Sequence, residues 1–243
     1  MILFRHWPMA AAICLGLLGP ADAQDKQAQD KQLVVVELFT SQGCASCPPA
    51  DAFLEVLANT PGVIALSMHV DYWDYIGWKD PFASPHISHR QRAYGRSLDQ
   101  RFIFTPQMVI DGATQSTGTD RARIGRLIEE AAARRGGPRL VPRIERNAAG
   151  NMVVAIPSGH YSSRAAVWLA VFDPSHLTAI KRGENRGKML KNVNVVREFK
   201  RIGTWRGEAL TIPLPDAPAG TGRVVIVQHD EAGQIFGAAV TRP

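Results

Sequence analysis

The feature that most constrains the fold is a run of β-branched and apolar residues, Leu33-Val34-Val35-Val36-Glu37-Leu38-Phe39-Thr40, followed at once by Cys44-Ala45-Ser46-Cys47. A continuous apolar run of this kind belongs to a strand buried on both faces. Pro48-Pro49-Ala50-Asp51 opens a helical segment with Phe53, Leu54 and Leu57 on one face, and Pro61-Gly62 ends it. Val63 to Val70 then reads as a second strand. Strand, helix, strand implies parallel pairing through a right-handed crossover, with the two cysteines at the strand-to-helix turn.

The N-terminus sets the chemical context of that pair. Arg5 and His6 precede an apolar run from Met9 to Gly19 and the small-residue site Ala21-Asp22-Ala23, the order of a secretory signal peptide cleaved after Ala23. A run of about 11 residues is too short to span a bilayer core, so no stable membrane insertion is expected after cleavage. The expected location is periplasmic or secreted. Cleavage removes Cys14 and leaves two of the three cysteines. In an oxidising compartment they form a disulfide, but so short a loop constrains the unfolded chain little. A reactive pair is the better reading than a structural staple.

The formal charge of +6 survives cleavage, because Arg5 and Asp22 leave together. The basic residues, Arg90 and Arg134 among them, are scattered without an aromatic platform, which points to a solvated basic surface and no nucleic acid. Residues 24–32, a QDKQ repeat, read as a flexible linker.

A helix is expected from Ser84 to Leu98, a third strand over Phe102 to Gly112 and an amphipathic helix over Ala122 to Arg135. Beyond Gly136-Gly137-Pro138 the pattern changes to short strands between turn signals: Val141 to Arg146, Met152 to Ile156, Ala165 to Phe172, Val193 to Ile202, Arg223 to Gln228 and Gln234 to Val240. The division expected is a redox domain over residues 33–137 and a small antiparallel, sandwich-like β domain over residues 138–243.

A CxxC between a buried strand and a helix is a redox motif with a mechanism. Cys44 is expected as the nucleophile and Cys47 as the resolving thiol. The double proline starts the regular helix near Cys47 or Pro48, which leaves Cys44 in the loop with weakened help from the helix dipole. Thr105-Pro106 is read as a cis pair facing the CxxC, since a cis proline there shapes a substrate groove. Glu37 is either a carboxylate buried under the disulfide, able to exchange a proton with Cys47, or a solvent-facing strand residue.

The strand–CxxC–helix followed by Thr105-Pro106 and a strand resembles the thioredoxin superfamily over roughly Leu33 to Arg135, with Gly43 where a tryptophan usually precedes the first cysteine. Glu37 to Cys44, His69 to Asp74, Thr105 to Val109 and Arg182 to Gly187 resemble one family of secreted bacterial thioredoxin-like proteins known only as a domain of unknown function. The resemblance implies an α/β thioredoxin-like domain and no established substrate.

The function expected is an exported thiol–disulfide oxidoreductase acting on protein thiols or a redox partner protein, without a cofactor. Two rival readings stand beside it. Cys44 and Cys47 with His69 could hold a soft metal such as Cu(I), although a histidine at a strand end is more often a hydrogen-bonded core residue. Alternatively, the β domain makes the chain a non-catalytic interaction protein. Tyr72, Trp73, Tyr75 and Trp78 are expected either to rim the disulfide or to pack under the inserted helix. The basic loop from Lys181 to Asn192 is expected to contact the redox domain or a partner.

Overall fold

The computed structural model describes residues 33–134, 140–160, 164–229 and 232–243. The segments expected as a signal peptide and a flexible linker lie outside the described residues.

The chain opens with β1 (Val34–Thr40), α1 (Pro48–Ala58) and β2 (Val63–His69), and the two strands pair in parallel from Val34 with Val63 to Thr40 with His69. A 3-10 turn at Asp74–Ile76 leads to α2 (Pro85–Ser97). β3 (Gln107–Ile110) returns antiparallel to β1 and turns into β4 (Thr114–Thr117), after which α3 spans Arg121–Ala133. The third strand is shorter than expected, because Pro106 has no N–H to offer a ladder and the regular pairing begins just after it.

Successive residues of β1 point to opposite faces, and both faces are covered. Val34, Val36 and Leu38 pack against Leu54 and Leu57 of α1 and Ile124 of α3. Val35 and Phe39 pack with Ile87 and Tyr94 of α2 on the other side. The helices thus sandwich the strand that feeds the cysteine loop.

The second half adds β5 (Arg143–Arg146), β6 (Met152–Ile156), β7 (Ala165–Ala179), β8 (Met189–Trp205), β9 (Leu210–Pro213), β10 (Gly222–His229) and β11 (Ile235–Thr241). The antiparallel strands are present, but not as an independent sandwich. β8 docks beside β2 through Ser67 and Val195, so one eight-stranded mixed sheet runs β11-β10-β7-β8-β2-β1-β3-β4 across both halves. The side chain of Asn194 seals this seam by donating to the Ala65 carbonyl at 2.9 Å. A small antiparallel sheet, β5-β6-β9, covers the far half, where Ile144, Val154 and Ile156 meet Val167, Leu169, Trp205 and Val225.

β7 and β8 are much longer than the expected segments. Their hairpin pairs from Ala165 with Trp205 to Ala179 with Met189, and β7 continues through Asp173-Pro174-Ser175, which reads as a turn in sequence. Past Phe172, β7 has lost its other neighbour β10 and become an edge strand. Pro174 is tolerated there because its missing N–H has no ladder to serve. The overlong hairpin carries its tip, residues 180–188, onto the cysteine loop.

Candidate functional site

Cys44 and Cys47 form a disulfide with Cα atoms 5.5 Å apart. α1 starts at Pro48 and Cys47 is its N-cap, with no side-chain capping bond. The first backbone N–H groups past the prolines, those of Ala50 and Asp51, both bond the Cys47 carbonyl at 2.9 and 3.1 Å. None is left for the Cys44 sulfur, so the dipole's help to Cys44 is muted. The Ser46 hydroxyl lies 3.4 Å from the Cys44 sulfur.

The structure brings Thr105 and Pro106 to this loop. Their peptide bond is cis, and the Thr105 carbonyl accepts from the Ser46 hydroxyl at 3.5 Å. Behind them, Gly118 fits a close approach: a Cβ there would lie 2.8 Å from that of Ala50 and 3.1 Å from that of Pro106. Trp73 closes the other side. Its indole donates to the Thr105 hydroxyl at 2.7 Å, and it presses on Gly43, where a Cβ would meet Trp73 at 3.3 Å.

The hairpin tip completes the cover. Asn185 is fully buried, and its amide donates to the carbonyls of Gln42 and Cys44, each at 2.9 Å, while Lys188 holds its oxygen. Cys44 is only 2% exposed and Cys47 is sealed, whereas Ala45 and Ser46 are exposed. The loop therefore presents the two residues between the cysteines to solvent and the sulfurs scarcely at all.

Glu37 is neither under the disulfide nor in solvent. It shares a face of β1 with Val35 and Phe39, opposite α1, and is fully buried against α2. Arg90 donates to both its oxygens at 2.6 and 2.9 Å, and Tyr94 adds its hydroxyl at 2.5 Å. Gln228, from β10, accepts from Arg90 and donates to the Tyr94 oxygen. Burial pushes the Tyr94 phenol well above its ordinary value, which keeps it a donor. Arg90 is accordingly not part of a solvated basic surface.

The carboxylate near the cysteines is Asp51, one helical turn after Cys47. It is buried, accepts from the Thr40 hydroxyl at 2.9 Å, and is pushed up to about 7 by desolvation, against the opposing pull of His69 and Thr40. His69, at the end of β2, is also fully buried, with Nδ1 2.7 Å from Asp80. Burial works to raise Asp80, yet the His69 ring and the N–H groups of Gln42 and Phe82 hold it below the usual carboxylate range. His69 is thus a hydrogen-bonded core histidine, and among the described residues no group of three or more His, Cys, Asp or Glu is arranged to hold a metal.

Of the aromatic stretch, Trp73 and Trp78 hydrogen-bond Thr105 and Gln42, Tyr72 bonds Gln91, and Tyr75 stands 80% exposed. No proton-exchanging role is legible for Asp51 in sequence, Asp80 and Arg90 read there as surface residues, and Asn185 is one undistinguished position in the loop expected to contact the redox domain. The signal for Arg90 was its spacing from Tyr94, four residues on, which stacks both on the face of α2 that meets β1.

A family model described as a protein of unknown function, DUF1223, matches residues 35–228. The chain belongs to the DUF1223 family. Its structure is similar to the crystal structure of a protein from Agrobacterium tumefaciens, 31% identical, with a TM-score of 0.73 over 87% of this chain and 95% of that one. HBP35 of Porphyromonas gingivalis shares the fold at 12% identity, with a TM-score of 0.56 over 87% of this chain and 75% of that one. No curated protein matches the chain. Among the described residues of this DUF1223 chain, no helix is long and apolar enough to cross a membrane.

Proposed function

We propose that this chain is a thioredoxin-like thiol–disulfide oxidoreductase that acts on protein thiols or disulfides after export. The observation that carries this reading is the Cys44–Cys47 disulfide at the β1–α1 turn, with the Thr105-Pro106 segment laid against it. A structural staple of so short a loop would stabilise little. A redox pair needs this closeness, so that one sulfur can displace a partner from the other.

In the oxidising direction, a substrate thiolate attacks Cys44 Sγ, the Cys44–Cys47 bond breaks, and Cys47 leaves as a thiolate that takes up a proton. A second substrate thiolate then attacks the substrate sulfur of the mixed disulfide and expels Cys44. Two electrons pass from the substrate dithiol to the cysteine pair, and reduction of a substrate disulfide is the same sequence reversed. Asp51, buried one helical turn after Cys47 and pushed up to about 7 by desolvation, is the carboxyl this reading assigns to proton exchange with Cys47, in place of Glu37.

The reduction potential of the pair tests this reading. Equilibration against glutathione or dithiothreitol buffers, read by thiol alkylation and mass spectrometry, is expected to give a value between about −270 and −120 mV, the range of redox-active pairs. A value below about −300 mV, where structural disulfides lie, would sink it.

A further inference from the structure

The β7–β8 hairpin overshoots the rest of the sheet and ends on the loop that holds the disulfide. Backbone bonds fold its tip on itself, the N–H groups of Ile180, Arg186, Gly187 and Lys188 donating to the carbonyls of Lys188, Gly183, Ile180 and Asn185 in turn. Gly183 and Gly187 stand at φ of +74° and +83°, where a side chain would be strained. The tip is also pinned from outside. Asn185 donates to the Gln42 and Cys44 carbonyls, and Gly183 packs so closely that a Cβ there would lie 3.2 Å from the Ile76 carbonyl and from Trp78.

What this pinned tip presents is positive charge. Lys181, Arg182, Arg186 and Lys188 stand against one acid, Glu184, and all five are exposed. Lys188 donates to the Asn185 oxygen, whereas Lys181, Arg182 and Arg186 have no side-chain hydrogen bond or ion pair among the described residues. Neighbouring acids do not answer them. Asp80 is buried against His69, Asp74 accepts the Asp80 N–H, and Glu55 pairs with Lys191 at 2.5 Å. Beside the cations, Tyr75 is 80% exposed, one residue before the Ile76 carbonyl that Gly183 approaches. Tyrosine and arginine are enriched where proteins bind proteins.

The position of this patch ties it to the disulfide. Asn185 touches the Cys44 backbone, and the Cα of Arg186 follows that of Asn185 by about 3.8 Å. A protein partner typically covers about 800 Å² of each surface, equivalent to a disc of about 16 Å radius. A protein whose sulfur reaches Cys44 thus comes within reach of the long side chains of the tip. Unpaired cations there repel a basic partner and draw in an acidic one.

We propose that the hairpin tip selects the partner: Lys181, Arg182 and Arg186, with Tyr75 beside them, dock a protein that carries acidic residues around its reactive cysteine. This rests on the redox reading of Cys44 and Cys47 and names the partner chemistry for it.

The test reduces the oxidised chain with three peptides of equal length, each with a single cysteine flanked by glutamates, glutamines or lysines. Two peptide thiols become one peptide disulfide while the Cys44–Cys47 bond is reduced to two thiols, which are alkylated and counted by mass spectrometry. Flanking charge also changes each peptide's own thiolate fraction, so the readout is the wild-type rate divided by that of Lys181→Gln/Arg182→Gln/Arg186→Gln. These side chains are exposed and unpaired, and their loss leaves the fold in place. At low salt the ratio is expected to be about tenfold for the glutamate peptide, near one for the glutamine peptide and below one for the lysine peptide. At about 0.5 M salt the glutamate ratio should fall toward one. Ratios of one for all three peptides overturn the proposal alone; if the wild type then floats with phosphatidylglycerol vesicles, the cations serve a lipid surface. No exchange with any peptide sinks the redox reading itself, and the proposal with it.

Discussion

Glu37→Ala is expected to destabilise the fold by about 3–5 kcal/mol, because it strands a buried arginine. Arg90 and Glu37 are 4% and 1% exposed at their side chains, and each is the other's direct counter-charge. Alanine removes the acceptor of two Arg90 hydrogen bonds and one from Tyr94, at a site buried away from bulk solvent. The loss would show as a drop in Tm of roughly 10 °C for a chain of this size. Glu37→Gln keeps the shape and an acceptor and should lose less. An alanine variant within about 0.5 kcal/mol of wild type, the range of ordinary surface changes, would contradict the assignment.

Asp51→Asn is expected to change how stability depends on pH. Burial raises the Asp51 carboxyl to about 7 in the folded chain, from 3.8 when it is free. Between those values the folded chain holds a proton that the unfolded chain has lost. The resulting contribution to stability is complete below about pH 4, falls as pH rises through 7 and is constant above. Asparagine cannot ionise and still accepts from Thr40, so the variant lacks that decline and should be the more stable form at pH 8. The gap at pH 8 is on the order of 4 kcal/mol by linkage. Chemical denaturation of both proteins at pH 5 and pH 8 measures it, and parallel pH profiles would show that Asp51 is ionised in the fold.

What the sequence revealed and what it hid divide by distance along the chain. The β1–CxxC–α1–β2 unit was legible because periodicity, punctuation by proline and glycine, and the motif all lie within about 40 residues of each other. The start of α1 was readable too, since two prolines are tolerated only in a first turn. Glu37 was not, because its burial depends on Arg90, 53 residues on, and on Gln228 beyond it. Asp51 reads as an ordinary acid in a helix's first turn, and only the packing of Thr40 and His69 around it makes it unusual. The four-residue strands β4 and β9 are too short to carry a period, and β4 is polar throughout. The joining of the two halves into one sheet shows a single ladder pair, Ser67 with Val195, beside the Asn194 side-chain bond to Ala65, and no local pattern announces either. Asn185 is the sharpest case. In sequence it is one polar residue in a basic loop, and in the fold it ties the second half of the chain to the Cys44 carbonyl.

The central claim is that Cys44 exchanges disulfides with a partner while Cys47 resolves the intermediate. It is tested most directly by mixing reduced Cys47→Ser and Cys44→Ser, separately, with scrambled oxidised ribonuclease, quenching in acid and separating the products on non-reducing gels. The account predicts a covalent complex for Cys47→Ser, released by dithiothreitol and linked through Cys44, and none for Cys44→Ser, whose remaining thiol is sealed. No complex with either variant, or equal complexes with both, would contradict it.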